Sequence, residues 1–232
     1  MNLAIFDIDG TLTNTSKIDA ECYVRAFRNS LGIDVENGNW ESFLNYTDEG
    51  IAEEIIARAF QRPATPEELD RLKSTFYDLL EAAQQTNPEQ FLEIPGAAKT
   101  LQRLKQDPDW VVAIATGCWE KSALLKLHYA GIPADGTPLA HCDHHIEREK
   151  IILKAVKLAE QKYNVTKFDK TVYIGDGLWD IRTTRKLNIP FVGIAYEKPP
   201  EPLQDAGAVI ILPHYKNYAE FVQALTEAKQ VA

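Results

Sequence analysis

Several things are scarce in this 232-residue chain, and each scarcity excludes something. Only three cysteines occur, Cys22, Cys118 and Cys142, and an odd, widely spaced set makes no disulfide framework. A reducing, cytoplasmic setting is therefore expected. Basic residues are outnumbered, 25 Lys and Arg against 34 Asp and Glu for a formal net charge of −9, and nothing forms the basic stripe that broad nucleic-acid binding needs. No apolar run approaches the roughly 18 residues of a membrane span. Asp7 interrupts the first apolar stretch too early for a signal peptide, and no basic segment precedes it. Repeats and low-complexity tracts are missing as well. What remains has 45% hydrophobic and 25% charged residues, the balance of a globular domain with a sizeable core.

The strongest local signal stands at the start. Leu3 to Phe6 is a short apolar run of the kind that forms a strand buried on both faces, and it ends at Asp7-Ile8-Asp9-Gly10-Thr11. Alternation along a continuing strand puts Asp7 and Asp9 on one face, and Gly10 frees the chain to turn after them. Two crowded carboxylates repel unless a cation lies between them or one keeps a proton. Mg²⁺ suits such ligands, with one carboxylate then available as nucleophile and the other for proton transfer. Taken alone, the pair fits equally a polar turn closing a buried strand.

From Thr13 to about residue 90 the periodicity is helical. Apolar residues recur at helical spacing over 18–27 and 51–60, and Trp40 to Leu44 forms a short piece between them. Thr65-Pro66-Glu67-Glu68 combines a threonine cap, a first-turn proline and a glutamate three residues after the cap, opening a helix to about Gln84. After Gly96 strand and helix alternate. Strands are expected over 110–115, 138–143, 171–174, 191–196 and 208–212, and helices over 97–106, 121–129, 149–163, after 174 to about 187, and 218–229. This predicts an α/β fold: a Rossmann-like parallel sheet with helices on both faces, residues 1–13 and 94–232, interrupted by an all-helical insertion at 14–93.

In open parallel sheets ligands gather at the C-terminal strand ends. Three polar groups fall there: Asp7 with Asp9, Thr116 with Gly117, and Asp176. Thr116-Gly117 before a helix can hold phosphate oxygens through a hydroxyl and free N–H groups, although many strand-to-helix turns use Thr-Gly for geometry alone. Cys118 and Trp119 read as packing. Lys150, at the start of a helix, would ordinarily be solvated. His141-Cys142-Asp143-His144-His145 lacks the separated second pair of a structural zinc site and is not read as a functional metal centre.

Asp7-Ile-Asp-Gly-Thr-Leu-Thr13 resembles the first motif of the haloacid dehalogenase-like superfamily, in its phosphatase form and in the branch with a helical cap. Thr116 matches the second motif. Gly175-Asp176-Gly177-Leu-Trp-Asp180 resembles the fourth. Lys150 stands for the third, without the proline that often follows that lysine, and Arg148 is the neighbouring cation that can take its place. The resemblance implies a Mg²⁺-dependent phosphohydrolase acting on a small phosphorylated metabolite, with 14–93 as the cap. Asp7 would form an aspartyl phosphate and Asp9 would serve as acid and base. Thr116, Gly117 and Lys150 would hold the phosphoryl oxygens. Asp7, Asp176 and the Asp9 carbonyl would bind the metal, supported by Asp180 and Gly10. Rival readings are a phosphosugar mutase of the β-phosphoglucomutase type and a non-catalytic phosphate-binding regulator. The resemblance disfavours dehalogenase and phosphonatase chemistry, since Asp9 is present and the cap's only lysines are Lys17 and Lys73. Residues 13–17 and 45–50, Thr47 and Glu49 in particular, are expected to face the substrate.

Overall fold

The computed structural model describes residues 1–36 and 40–231. Six strands form one parallel sheet: β1 (Asn2–Phe6), β2 (Trp110–Ala115), β3 (Leu139–Ala140), β4 (Thr171–Gly175), β5 (Phe191–Ile194) and β6 (Ile211–Leu212), in the order β3-β2-β1-β4-β5-β6. The first strand is central, with Phe6 level with Ile114 of β2 on one side and Ile174 of β4 on the other. Three apolar runs therefore finish side by side, and the polar residues that follow them emerge at one edge.

Alternation along β1 divides its side chains between two cores. Leu3 and Ile5 join one cluster with Tyr173, and Ala4 and Phe6 join the other with Val172 and Ile174. Helices α6 (Arg148–Tyr163), α7 (Leu178–Leu187) and α8 (Glu201–Asp205) pack into the first, and α4 (Ala97–Leu104), α5 (Glu120–Tyr129) and α9 (Tyr218–Glu227) into the second. Burial on both faces explains why β1, β2 and β4 read as continuous apolar runs. The two edge strands are shorter than expected. β3 pairs only through Leu139 and Ala140, and Ala208 is buried behind α8, leaving Ile211 and Leu212 to pair with β5. Among the described residues no helix is long and apolar enough to cross a membrane.

Between β1 and β2 lie α1 (Ser16–Leu31), α2 (Asp48–Phe60) and α3 (Pro66–Thr86), with no strand among the described residues there. Ile18, Tyr23 and Phe27 of α1 pack with Leu72, Phe76 and Leu80 of α3. Tyr23 meets Phe76 edge-on with centroids 5.5 Å apart, and both rings reach Trp119 in the turn after β2 at 5.7 Å. That shared aromatic packing ties the helices to the end of the sheet.

The start of α3 forms as its sequence predicts. Thr65 Oγ1 accepts from the Glu68 N–H at 3.3 Å, and Glu68 Oε2 accepts from the Thr65 N–H at 2.9 Å. Arg62 donates both guanidinium nitrogens to the same glutamate, at 2.9 and 2.6 Å. Losing the cap hydroxyl leaves one N–H of the first turn without its partner. Thr65→Ala is expected to lower unfolding free energy by about 1 kcal/mol, measured by urea denaturation with an unchanged m-value. A loss below a few tenths would mean that the cap contributes nothing.

Candidate active site

The residues that end β1, β2 and β4 converge. Asp7, Asp9, Thr116 and Gly117 line a single cavity of ≈150 Å³ together with Arg148. Oxygens of Asp7, Asp176 and Asp180 lie within 4.8 Å of one another, all three residues buried. Gly10 makes the approach possible: its φ is +74°, and a Cβ there would strike the Asp176 carboxylate. Gly117 is equally constrained, since a Cβ would come within 2.6 Å of Arg148 Nη1.

Each carboxylate has a cation beside it. Arg148 Nη2 donates to Asp180 Oδ1 at 2.6 Å and to Asp7 Oδ2 at 3.4 Å. Asp180 also accepts the Gly177 N–H at 3.0 Å, which anchors it at the first turn of α7. Lys198 pairs with Asp176 Oδ2 at 2.5 Å. Lys126, wholly buried on α5, bridges Asp9 Oδ2 at 2.5 Å and Asp19 Oδ1 at 2.7 Å. Asp9 further accepts from Thr15 Oγ1 and, at 2.9 Å, from Cys118 Sγ.

These environments separate the two motif carboxylates. Burial, reinforced by the negative charge of Asp180, pushes Asp7 up to about 7 despite Arg148. Burial alone would raise Asp9 too, but the Lys126 ammonium and the hydrogen bonds from Cys118, Lys126 and Thr15 hold it below the usual carboxylate range. Burial also takes Asp176 up to about 6, partly offset by Lys198.

Lys150 is not part of this arrangement. Its side chain is 56% exposed and pairs with Glu147 at 2.6 Å. Arg148 holds the position instead, for a helical reason: Arg148 shares a face with the buried Ile151, Ile152 and Ala155, and two residues further on is roughly 200° round the helix. Glu49 is likewise turned aside, accepting from the Trp119 indole N–H at 2.5 Å and pairing with Lys73 at 2.8 Å. Thr47 lines the cavity, but its hydroxyl caps α2 through the Gly50 N–H at 3.2 Å and donates to the Ile146 carbonyl at 2.9 Å. Cys118 and Trp119 are buried, as packing residues would be, yet both also make the polar contacts given above. His141 pairs with Asp143 at 3.1 Å, away from the cavity.

Three charged residues of the site escaped the sequence reading, Lys126, Lys198 and Asp19, whereas Asp48 falls in the 45–50 segment expected to face the substrate and does line the cavity. Lys126 had a signal, because it falls on the same helical face as Ala123 and Leu127. Lys198 follows the C-terminal end of β5 and so had one too.

A hard divalent cation fits the donor set. Asp176 Oδ1 is buried without a hydrogen-bond partner in an all-oxygen cluster with Asp7. In the metal-free protein, Asp7 and Asp176 keep protons that the unfolded chain has released above its ordinary value of 3.8. The native state therefore binds more protons, and stability falls as pH rises from about 4 through about 7. Thermal melts in EDTA should show Tm dropping between about pH 5 and about pH 7.5. Mg²⁺ should raise Tm more at the upper pH, and Asp7→Asn should flatten both trends. A Mg²⁺ shift that does not grow with pH would refute the assignment.

The fold recurs in solved structures. No curated protein matches by sequence. The solved structure of a hydrolase from Pseudomonas syringae superposes with a TM-score of 0.72 at 20% identity, over 97% of this chain and 99% of that one. A β-phosphoglucomutase candidate from Bacteroides vulgatus gives 0.68 at 16% identity, over 98% and 91%. CbbY from Rhodobacter sphaeroides, solved in complex with phosphate, gives 0.67 at 20% identity, over 97% and 98%. Residues 4–194 match the family model of the haloacid dehalogenase-like hydrolases. That span takes in β1 with Asp7 and Asp9, the Thr116 turn, Arg148 and the Asp176–Asp180 segment, and on it the chain belongs to the haloacid dehalogenase-like hydrolase family.

Proposed function

We propose that this hydrolase is a Mg²⁺-dependent phosphatase acting on small phosphate monoesters through an aspartyl phosphate on Asp7. The observation that carries the reading is the meeting of Asp7, Asp9 and Thr116 in one cavity, with Asp176 beside Asp7, at the C-terminal edge of three adjacent parallel strands. Asp7, Asp176 and the Asp9 carbonyl would hold Mg²⁺, which would supply charge neutralisation for the phosphoryl oxygens and favour the ionised form of Asp7.

The chain's own groups do the rest. Asp7 attacks phosphorus in line with the ester oxygen. Asp9, ionised beside Lys126 in the free protein, takes the proton of the bound ester monoanion and passes it to the departing alcohol; its carboxylate then takes a proton from the water that cleaves the acyl phosphate. Lys126, Thr15 and Cys118 keep that carboxylate oriented between the two steps. The Thr116 hydroxyl, the Gly117 N–H and Arg148 bind phosphoryl oxygens, so that charge is stabilised where it develops. Arg148 serves here in place of the lysine expected from the sequence. Residues 14–93 act as a cap that excludes water and limits substrate size.

Phosphate release should require Mg²⁺ and vanish in EDTA, and Asp7→Asn should reduce kcat by at least about 1,000-fold. Return of the phosphoryl group to a sugar, with no free phosphate, would instead mean a mutase. A second test separates the two candidate cations. Arg148→Ala should lower kcat/KM by about 100-fold or more, whereas Lys150→Ala should stay within about twofold of wild type. The reverse order would restore the lysine.

A further inference from the structure

The cavity wall contributed by α1 and the turn into α2 is acidic and aromatic. Asp19 and Asp48 line it together with the rings of Tyr23, Trp40, Tyr46 and Trp179. Tyr46 and Trp179 lie flat against each other, 3.9 Å apart and tilted by 11°. The lining cations, Arg148 and Lys198, are already paired with Asp180 and Asp176, and Lys126 is committed to Asp9 and Asp19. Asp48 has no cationic partner among the described residues. Its Oδ2 accepts the Trp119 backbone N–H at 3.0 Å, and burial pushes its carboxyl well above the usual range.

No free cation on this wall can receive a second anionic group. A substrate carboxylate or second phosphate would find no unpaired cation beside Asp48 in this poorly solvated space, whereas an ammonium group would draw the proton off Asp48 and pair with its carboxylate. Carboxylates set among electron-rich ring faces hold the opposite charge, by ion pairing and by attraction of a cation to the ring quadrupole. The ≈150 Å³ volume limits the alcohol part to a few carbons.

Building on the phosphatase reading, we propose that the substrates are phosphate monoesters of small amino alcohols, whose ammonium group, primary or quaternary, is seated between Asp48, Asp19 and the surrounding rings. Specificity then comes from attraction at this wall and from the lack there of an uncommitted cation for a second anionic group.

The test is kcat/KM, with Mg²⁺, for O-phosphoethanolamine and phosphocholine against glycerol phosphate and 2-phosphoglycolate, in wild type and in Asp48→Asn, which keeps an acceptor for the Trp119 N–H. The ammonium esters should exceed phosphoglycolate by about 100-fold or more, and Asp48→Asn should cut the ammonium-to-glycerol ratio about tenfold. Equal or better turnover of phosphoglycolate, or a ratio unmoved by Asp48→Asn, overturns the proposal and leaves the phosphatase standing. Absence of phosphate release from every ester, acetyl phosphate included, rejects the phosphatase instead. Calorimetric binding to the Mg²⁺-loaded protein then decides about the wall: 2-aminoethylphosphonate should bind at least about tenfold tighter than phosphonoacetate, and equal or reversed affinities overturn the ammonium site.

Discussion

Crowded negative charge is the constraint around which this molecule is built. Asp7, Asp9, Asp19, Asp176 and Asp180 stand at or near one edge of a sheet whose strands are otherwise apolar. Arg148, Lys126 and Lys198 each hold part of that charge, and each comes from a different element: the start of α6, the buried face of α5 and the segment after β5. Removing one partner of such a pair leaves an uncompensated charge in a poorly solvated place, which is far more damaging than losing a surface ion pair. The positions of α5 and α6 relative to β1 are therefore tied to the electrostatics of Asp9 and Asp7, and that of the segment after β5 to Asp176.

The same arrangement assigns opposite protonation preferences to side chains two residues apart. Asp7 is raised by burial and by the charge of Asp180, which Arg148 only partly offsets. Asp9 has an ammonium within 2.5 Å, a thiol and a hydroxyl, and is lowered. Environment separates the two carboxylates even though both are the same amino acid on the same strand end. Asp9 is also where the helical segment meets the chemistry, because Lys126 joins it to Asp19 on α1.

Much of this was readable from the residues. Buried strands announce themselves as apolar runs, and polar residues that interrupt them at a parallel sheet's C-terminal edge must meet, so Asp7, Thr116 and Asp176 could be grouped without coordinates. The two edge strands were only partly readable, since β3 and β6 each pair over two residues. Lysines were the hard case. Lys150 was favoured by motif register, but helical geometry turns it outward and brings Arg148 in. Lys126 drew no notice in the sequence, although its phase with Ala123 and Leu127 places it on the buried face of its helix. Asp48 was included in the 45–50 segment, but Thr47 and Glu49 were singled out ahead of it. A residue at the start of a helix can point in several directions, and tertiary partners choose among them.

The flat pairing of Tyr46 with Trp179 joins the turn before α2 to the first turn of α7, where Asp180 is anchored. Rings 3.9 Å apart leave no room for water between them, so two distant parts of the chain meet here in direct contact. Drawing those parts away from each other means unstacking an indole that is the chain neighbour of the aspartate paired with Arg148. The ring stack and the charged centre thus share one short stretch of α7.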